Sequence, residues 1–143
     1  MIDPICWCGG KVSGNVCLAS RFHDPERRTN TREPRVLYLS GPMTGYPECN
    51  YPLFHAEAAT LRSHGYVVHN PAETGDMGSQ YTDLLRKDIR TILDCEGVAT
   101  LEGWWSSKGA QIEITVAGAI GLPVRPVHEW VHRATLVDPT TGR

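Results

Sequence analysis

The sequence predicts an α/β domain built on a mostly parallel sheet with helices on both faces, preceded by a small N-terminal arm. Three observations carry this reading. Four short apolar runs alternate with three segments of helical periodicity, and strands joined through crossover helices run parallel with right-handed connections. The chain has 143 residues, 41% of them hydrophobic, which is enough for one core without disulfide staples. The first 34 residues have almost no apolar periodicity, and they end in the polar, proline-bounded run from His23 to Pro34, which reads as a linker.

Taken in order, Val36 to Ser40 is an apolar run closed by Gly41-Pro42, as a buried strand leading into a loop requires. Pro52 suits a first helical turn, and Phe54, Ala58 and Leu61 recur at helical spacing until Gly65, which predicts a helix over Pro52 to His64. Tyr66 to His69 is the second strand, closed by Asn70-Pro71 and followed by a glycine-rich loop. Leu84, Leu85, Ile89, Ile92 and Leu93 form an apolar stripe on a second helix, about Ser79 to Asp94. Gly97 to Leu101 is the third strand. A third helix spans about Gly109 to Ile120, with Ile112, Val116 and Ala119 toward the core, and Pro123 to Val127 is the fourth strand. The tail with His128, Trp130 and His132 reads equally as a short helix or a strand.

A net charge of −2, with a mildly basic arm and an acidic body, gives no electrostatic reason to expect nucleic-acid binding. The longest apolar stretches, such as Ile112 to Val116, fall far short of the roughly 20 residues that span a bilayer. The N-terminus lacks the basic-then-apolar order of a signal peptide. The expectation is a soluble, cytoplasmic protein.

In open parallel sheets ligands bind beyond the carboxyl ends of the strands. That singles out the loops Ser40 to Cys49, Asn70 to Gln80 and Glu102 to Lys108. Tyr38-Leu-Ser-Gly-Pro-Met-Thr-Gly45 places glycines and small hydroxyls at a strand end, where backbone amides approach a ligand closely, although many such loops are only tight turns. Glu113 falls about one turn into the third helix between Ile112 and Ile114, where a carboxylate can serve as nucleophile or base, or simply complement the helix dipole.

The series Tyr38 to Gly45, Asn50-Tyr-Pro-Leu-Phe54, Gly65-Tyr66, Asn70-Pro71, Asp88, Gly103-Trp104 and Ser107-Lys-Gly-Ala-Gln-Ile-Glu113 resembles a phage and bacterial branch of the nucleoside 2-deoxyribosyltransferase-like superfamily. The resemblance spans about Arg35 to Val127. It implies a flavodoxin-like or Rossmann-like three-layer fold, a homo-oligomer, a nucleoside or nucleotide as partner, and cleavage or exchange of a deoxyribosyl N-glycosidic bond with no catalytic cofactor. By the same resemblance Glu113 matches the nucleophile that attacks C1′, Asp88 the acid that protonates the departing base, and Tyr38 the group that orients the nucleophile. Ser107 matches a phosphate-contacting serine. Ser40, Gly41, Pro42, Met43, Gly45, Asn70, Trp104 and Gly109 complete the expected substrate-binding set. The chain departs from the hydrolases at Pro42-Met43-Thr44, where they carry an arginine. It departs from the transferases at Trp104-Trp105-Ser106, where they carry an acidic residue; tryptophans there either stack on a base or pack at an interface. A nucleotide-binding module without turnover is the alternative reading.

Cys6, Cys8, Cys17 and His23 have the donor types of a tetrahedral structural zinc knuckle, with unligated cysteines in a loose arm as the alternative. Cys49 and Cys95 read as small buried residues. His55, His64 and His69 read as surface or capping residues, and Asp83, Arg86 and Lys87 as a solvated helical face.

Overall fold

A computed structural model describes residues 32–74 and 78–136, together with the backbone of a short strand pair in the arm. The chain divides into two compact units, Met1–Glu33 and Pro34–Arg143. In the first, β1 (Val12–Ser13) pairs antiparallel with β2 (Val16–Cys17).

In the second, β3 (Val36–Ser40), β4 (Val67–His69), β5 (Gly97–Thr100) and β6 (Val124–Pro126) form one parallel sheet in the order β4-β3-β5-β6. Tyr38 stands opposite His69 on one side and Val98 on the other, and Ser40 stands opposite Thr100. The first strand of the sheet is thus central. The chain winds one way to β4 and the other way to β5 and β6, so the topological switch point lies between the carboxyl ends of β3 and β5. With helices on both faces, this is the flavodoxin-like three-layer arrangement that the sequence predicts.

The pleat sorts the core into two halves. Leu37, Leu39, Val68, Ala99 and Leu101 pack with Phe54, Ala58 and Leu61 of α1 (Tyr51–Ser63) and with Val127 and Trp130 of α5 (Val127–Leu136). Tyr38 and Val98 face the other way, toward Ile92 of α3 (Tyr81–Leu93) and Ala117 of α4 (Lys108–Ala119). A short helix, α2 (Pro71–Thr74), interrupts the loop expected after β4.

Two expectations about helix faces need correction. On α4 the buried residues are Ala110, Glu113 and Ala117, while Ile112 and Val116 are only half-buried and Ala119 is exposed. On α3 only Ile92 is buried, and Leu93 is 57% exposed. The reason is shared: the rows that meet the sheet run through Glu113 on α4 and Asp88 on α3, with alanines keeping α4 close to the strands. A polar site therefore occupies the seam that apolar periodicity assigned to core.

The tail, open between helix and strand from sequence, is α5. Trp130 decides it: the ring is fully buried, its indole Nε1 donates to the Val98 carbonyl at 3.0 Å, and Tyr66 donates from its hydroxyl to the Trp130 carbonyl at 2.8 Å. The Arg125 guanidinium lies 4.9 Å from the ring centroid on the remaining side. Trp130→Ala removes this packing and the indole hydrogen bond to the Val98 carbonyl, so chemical denaturation should show a loss of about 3–5 kcal/mol.

Candidate functional site

Glu113 is 7% exposed, and its carboxylate accepts a hydrogen bond on each oxygen. Ser40 donates from Oγ to Oε2 at 2.6 Å, and Tyr38 donates from its hydroxyl to Oε1 at 3.3 Å. Both donors come from β3, two residues apart and so on one face of the strand, and Ser40 lies at the switch point. Tyr38 also interacts with Asp88 of α3, through hydrogen bonding and through charge. Tyr38, Asp88 and Glu113 are thereby brought together by one central strand and two helices.

The electrostatics follow from burial. Desolvation pushes the Glu113 carboxyl from 4.5 up to about 7; the hydrogen bond from Ser40 opposes this, the charge of Asp88 reinforces it, and the Tyr38 hydroxyl opposes it. Asp88 is raised by the same desolvation, countered by the Tyr38 hydroxyl and the nearby Lys87 ammonium. The Tyr38 phenol is held well above its ordinary range, first by burial and then by the two carboxylates, so it remains a donor. Lys87, read from sequence as part of a solvated face, thus also bears on the charge of Asp88.

The first loop is built around close contacts. A Cβ at Gly41 would lie 2.7 Å from the Leu101 Cβ, so only glycine lets the ends of β3 and β5 approach this closely. Pro42 is fully buried, and its carbonyl accepts from Asn50 Nδ2 at 2.8 Å. Asn50 ends a run of three non-glycine residues with left-handed backbone, Glu48 (φ 52°), Cys49 (φ 52°) and Asn50 (φ 60°). Sequence reading passed over this buttressing role; asparagine's tolerance of left-handed backbone was its one signal. Met43 packs against the core on the α1 and α5 side, and Gly45 is exposed.

The other expected substrate residues divide similarly. Ser107 is the N-cap of α4 and accepts from the Ala110 amide at 3.3 Å. Gly109 lies beneath the Tyr81 ring, whose hydroxyl oxygen would be 3.6 Å from an added Cβ. Trp104 is half-buried in a 3-10 turn (Trp104–Ser106), edge-on to the 55% exposed Trp105, and Gln111 ties this turn to α4 by donating to the Trp105 carbonyl. Gly103, at φ 81°, sets the turn's left-handed entry, and the Tyr46 hydroxyl stands where a Cβ would be, at 3.0 Å. Asn70 is buried, and the protein itself occupies its amide. Its Oδ1 accepts from the Ala72 amide at 3.0 Å, and its Nδ2 reaches the Phe54 carbonyl, the His55 ring and Glu73. Asn70 therefore braces the start of α2 and is not brought to the carboxylates.

A cleft of about 310 Å³, lined by Glu57, Thr60, Thr100, Leu101, Pro126, Val127, His128 and Val131, opens on the α1 and α5 side of the same sheet edge. The carboxylates lie on the opposite face. The candidate site is the carboxylate cluster, because it joins buried ionisable groups to oriented donors.

Residues 35–125 match the family described as Domain of unknown function (DUF4406). The chain belongs to that family. The DUF4406 match runs from the residue before β3 into β6, and so contains Tyr38, Ser40, Asp88 and Glu113. No curated protein matches the chain. Among the described residues of this DUF4406 protein no group of three or more His, Cys, Asp or Glu side chains is placed to hold a metal ion. Of the expected zinc ligands, Cys6, Cys8 and His23 lie outside the described residues, as does the side chain of Cys17. Cys95 is buried and Cys49 half-buried; both are free thiols. Burial pushes the Cys95 thiol up to about 11, as an unreactive residue requires.

Two outcomes follow from the Glu113 environment. Its carboxyl ionises at about 7 when folded against 4.5 ordinarily, so the native state binds the extra proton between those values. This contribution to stability is fully present below pH 4.5 and is lost as pH rises through 7, an effect on the order of 3 kcal/mol. Glu113→Gln should therefore be more stable than the parent at pH 8, with the advantage gone at pH 4, as read by urea denaturation at both values. Ser40→Ala removes a hydrogen bond to the ionised form, so the Glu113 titration followed by carboxyl NMR should move further up.

Proposed function

We propose that this protein cleaves or exchanges the N-glycosidic bond of a 2′-deoxynucleoside or its 5′-monophosphate, with Glu113 as nucleophile. The observation that carries the reading is the buried Glu113 carboxylate, held on both oxygens by Ser40 and Tyr38 beside the switch point of a parallel sheet. The resemblance to the nucleoside 2-deoxyribosyltransferase-like superfamily, with the homo-oligomer it implies, supports the same reading.

The chemistry needs two carboxyl groups in opposite protonation states. The ionised Glu113 attacks C1′ of the sugar, the bond from C1′ to the base nitrogen breaks, and the bond pair leaves with the base. The coupled pair shares one proton, and the reaction draws on the form that carries it on Asp88, whose burial favours its protonated form and which delivers it to the departing nitrogen. The resulting glycosyl ester on Glu113 is then opened at C1′ by water, giving hydrolysis, or by a second base, giving transfer. Tyr38 and Ser40 fix the attacking oxygens, and Tyr38 couples the two carboxyls, so the pair titrates as a unit.

The test is incubation with each deoxynucleoside and each monophosphate, with free base read by chromatography. Base release should be abolished in Glu113→Gln and reduced about 10²–10⁴-fold in Asp88→Asn. In the parent, kcat/KM should fall as pH rises above about 7, where the carboxyl pair loses the one proton the reaction needs. Release unchanged in Glu113→Gln overturns the nucleophile assignment, and tight nucleotide binding without release points to a non-catalytic module.

A further inference from the structure

His69 ends β4, directly opposite Tyr38 in the parallel register. Aligned residues on neighbouring strands project from the same face. The neighbouring Val68 belongs to the core on the α1 and α5 side, which puts His69 and Val67 on the face that carries Tyr38, Asp88 and Glu113. Among the described residues that face of the edge strand is left open: Val67 is 57% exposed, and His69 is exposed as well.

The helices explain the opening. α4 lies over β3, β5 and β6, and α3 packs beside α4, so α3 is the helix on the β4 side of the site. In the sheet His69 is the β4 neighbour of Tyr38, whose hydroxyl meets both Glu113 and Asp88. If C1′ of a sugar sits at Glu113 and the departing nitrogen at Asp88, the far side of the base extends toward β4. The imidazole there carries one donor and one acceptor in its neutral form, which matches the mixed edge of a nucleobase.

From this register we infer that His69 contacts the nucleobase of the substrate and sets preference among bases. The inference rests on the function proposed above and deepens it: Glu113 and Asp88 act on a bond common to all deoxynucleosides, whereas His69 meets the part that differs between them. A hydrogen-bonding edge discriminates better than an apolar wall, because a wrong partner leaves a polar group unpaired.

Binding is measured by calorimetric titration of the four common deoxynucleosides, and of 2-deoxyribose as a base-free control, into Glu113→Gln. The same titrations are run on Glu113→Gln with His69→Ala and with His69→Gln. The expected result is a Kd raised about 5–10-fold for at least one deoxynucleoside by His69→Ala, unequally across the four, and partly restored by His69→Gln. Deoxyribose should bind alike to all three proteins. Equal affinities for all four deoxynucleosides with and without His69 would overturn the inference, as would a uniform loss that includes deoxyribose. Base release by the parent, lost in Glu113→Gln, upholds the proposed reaction whichever way His69 behaves. Failure of the Glu113→Gln protein to bind any of the four overturns the role of His69 directly.

Discussion

The structure turns on one interaction, the burial of the Glu113 carboxylate between α4 and β3. An ionised group taken out of water costs several kcal/mol unless its oxygens are satisfied, and here both oxygens are met by donors from a single strand. That requirement explains much of what surrounds it. Ala110 and Ala117 keep α4 near the sheet; β3 must be central, so that its carboxyl end is flanked by α3 and α4; and Gly41 must lack a side chain for β5 to close beside it.

The compensation is incomplete, and this is informative. Two hydroxyl donors lower the carboxyl's proton affinity, yet desolvation and the charge of Asp88 outweigh them. A purely structural glutamate would gain from a cation or additional amide donors. One left poised near neutrality is a local cost to stability of the kind concentrated at sites where groups must change state. The left-handed run at Glu48, Cys49 and Asn50 is a second such cost, about 1–2 kcal/mol per residue by steric argument. Asn50 offsets part of it by fixing the Pro42 carbonyl.

Much of the fold was legible because strands and helices with one apolar face announce their period. Val36 to Ser40 and the Phe54, Ala58, Leu61 row fall where spacing puts them. The sequence was misleading where polar residues hold the inward row: Ile112 and Val116 look like core, but Glu113 takes the place beneath them. α5 was ambiguous because Trp130 stands among His128, Glu129, His132 and Arg133, and only packing against Val98 settles its conformation. Within the site, the roles of Tyr38 and Asp88 came from resemblance, whereas Glu113 was also marked by its place one turn into the third helix. The role of Ser40 as a donor to Glu113 depends on a distance across 73 residues of chain, which no local pattern encodes. A strand-end asparagine serves a ligand or a neighbouring backbone equally well, and only the fold shows that Asn70 holds the Ala72 amide.

β3 has consequences for how this protein can change over time. Its odd positions, Leu37 and Leu39, are dry core, and its even positions, Tyr38 and Ser40, belong to the site. Inserting or deleting one residue in this strand would exchange the two sets, placing leucines against a carboxylate and hydroxyls in oil. Gradual adjustment of length is therefore closed to β3, whereas the exposed surfaces of α1 and α5 can drift. Changes at the exposed end of β4 and in the loops leave that frame untouched.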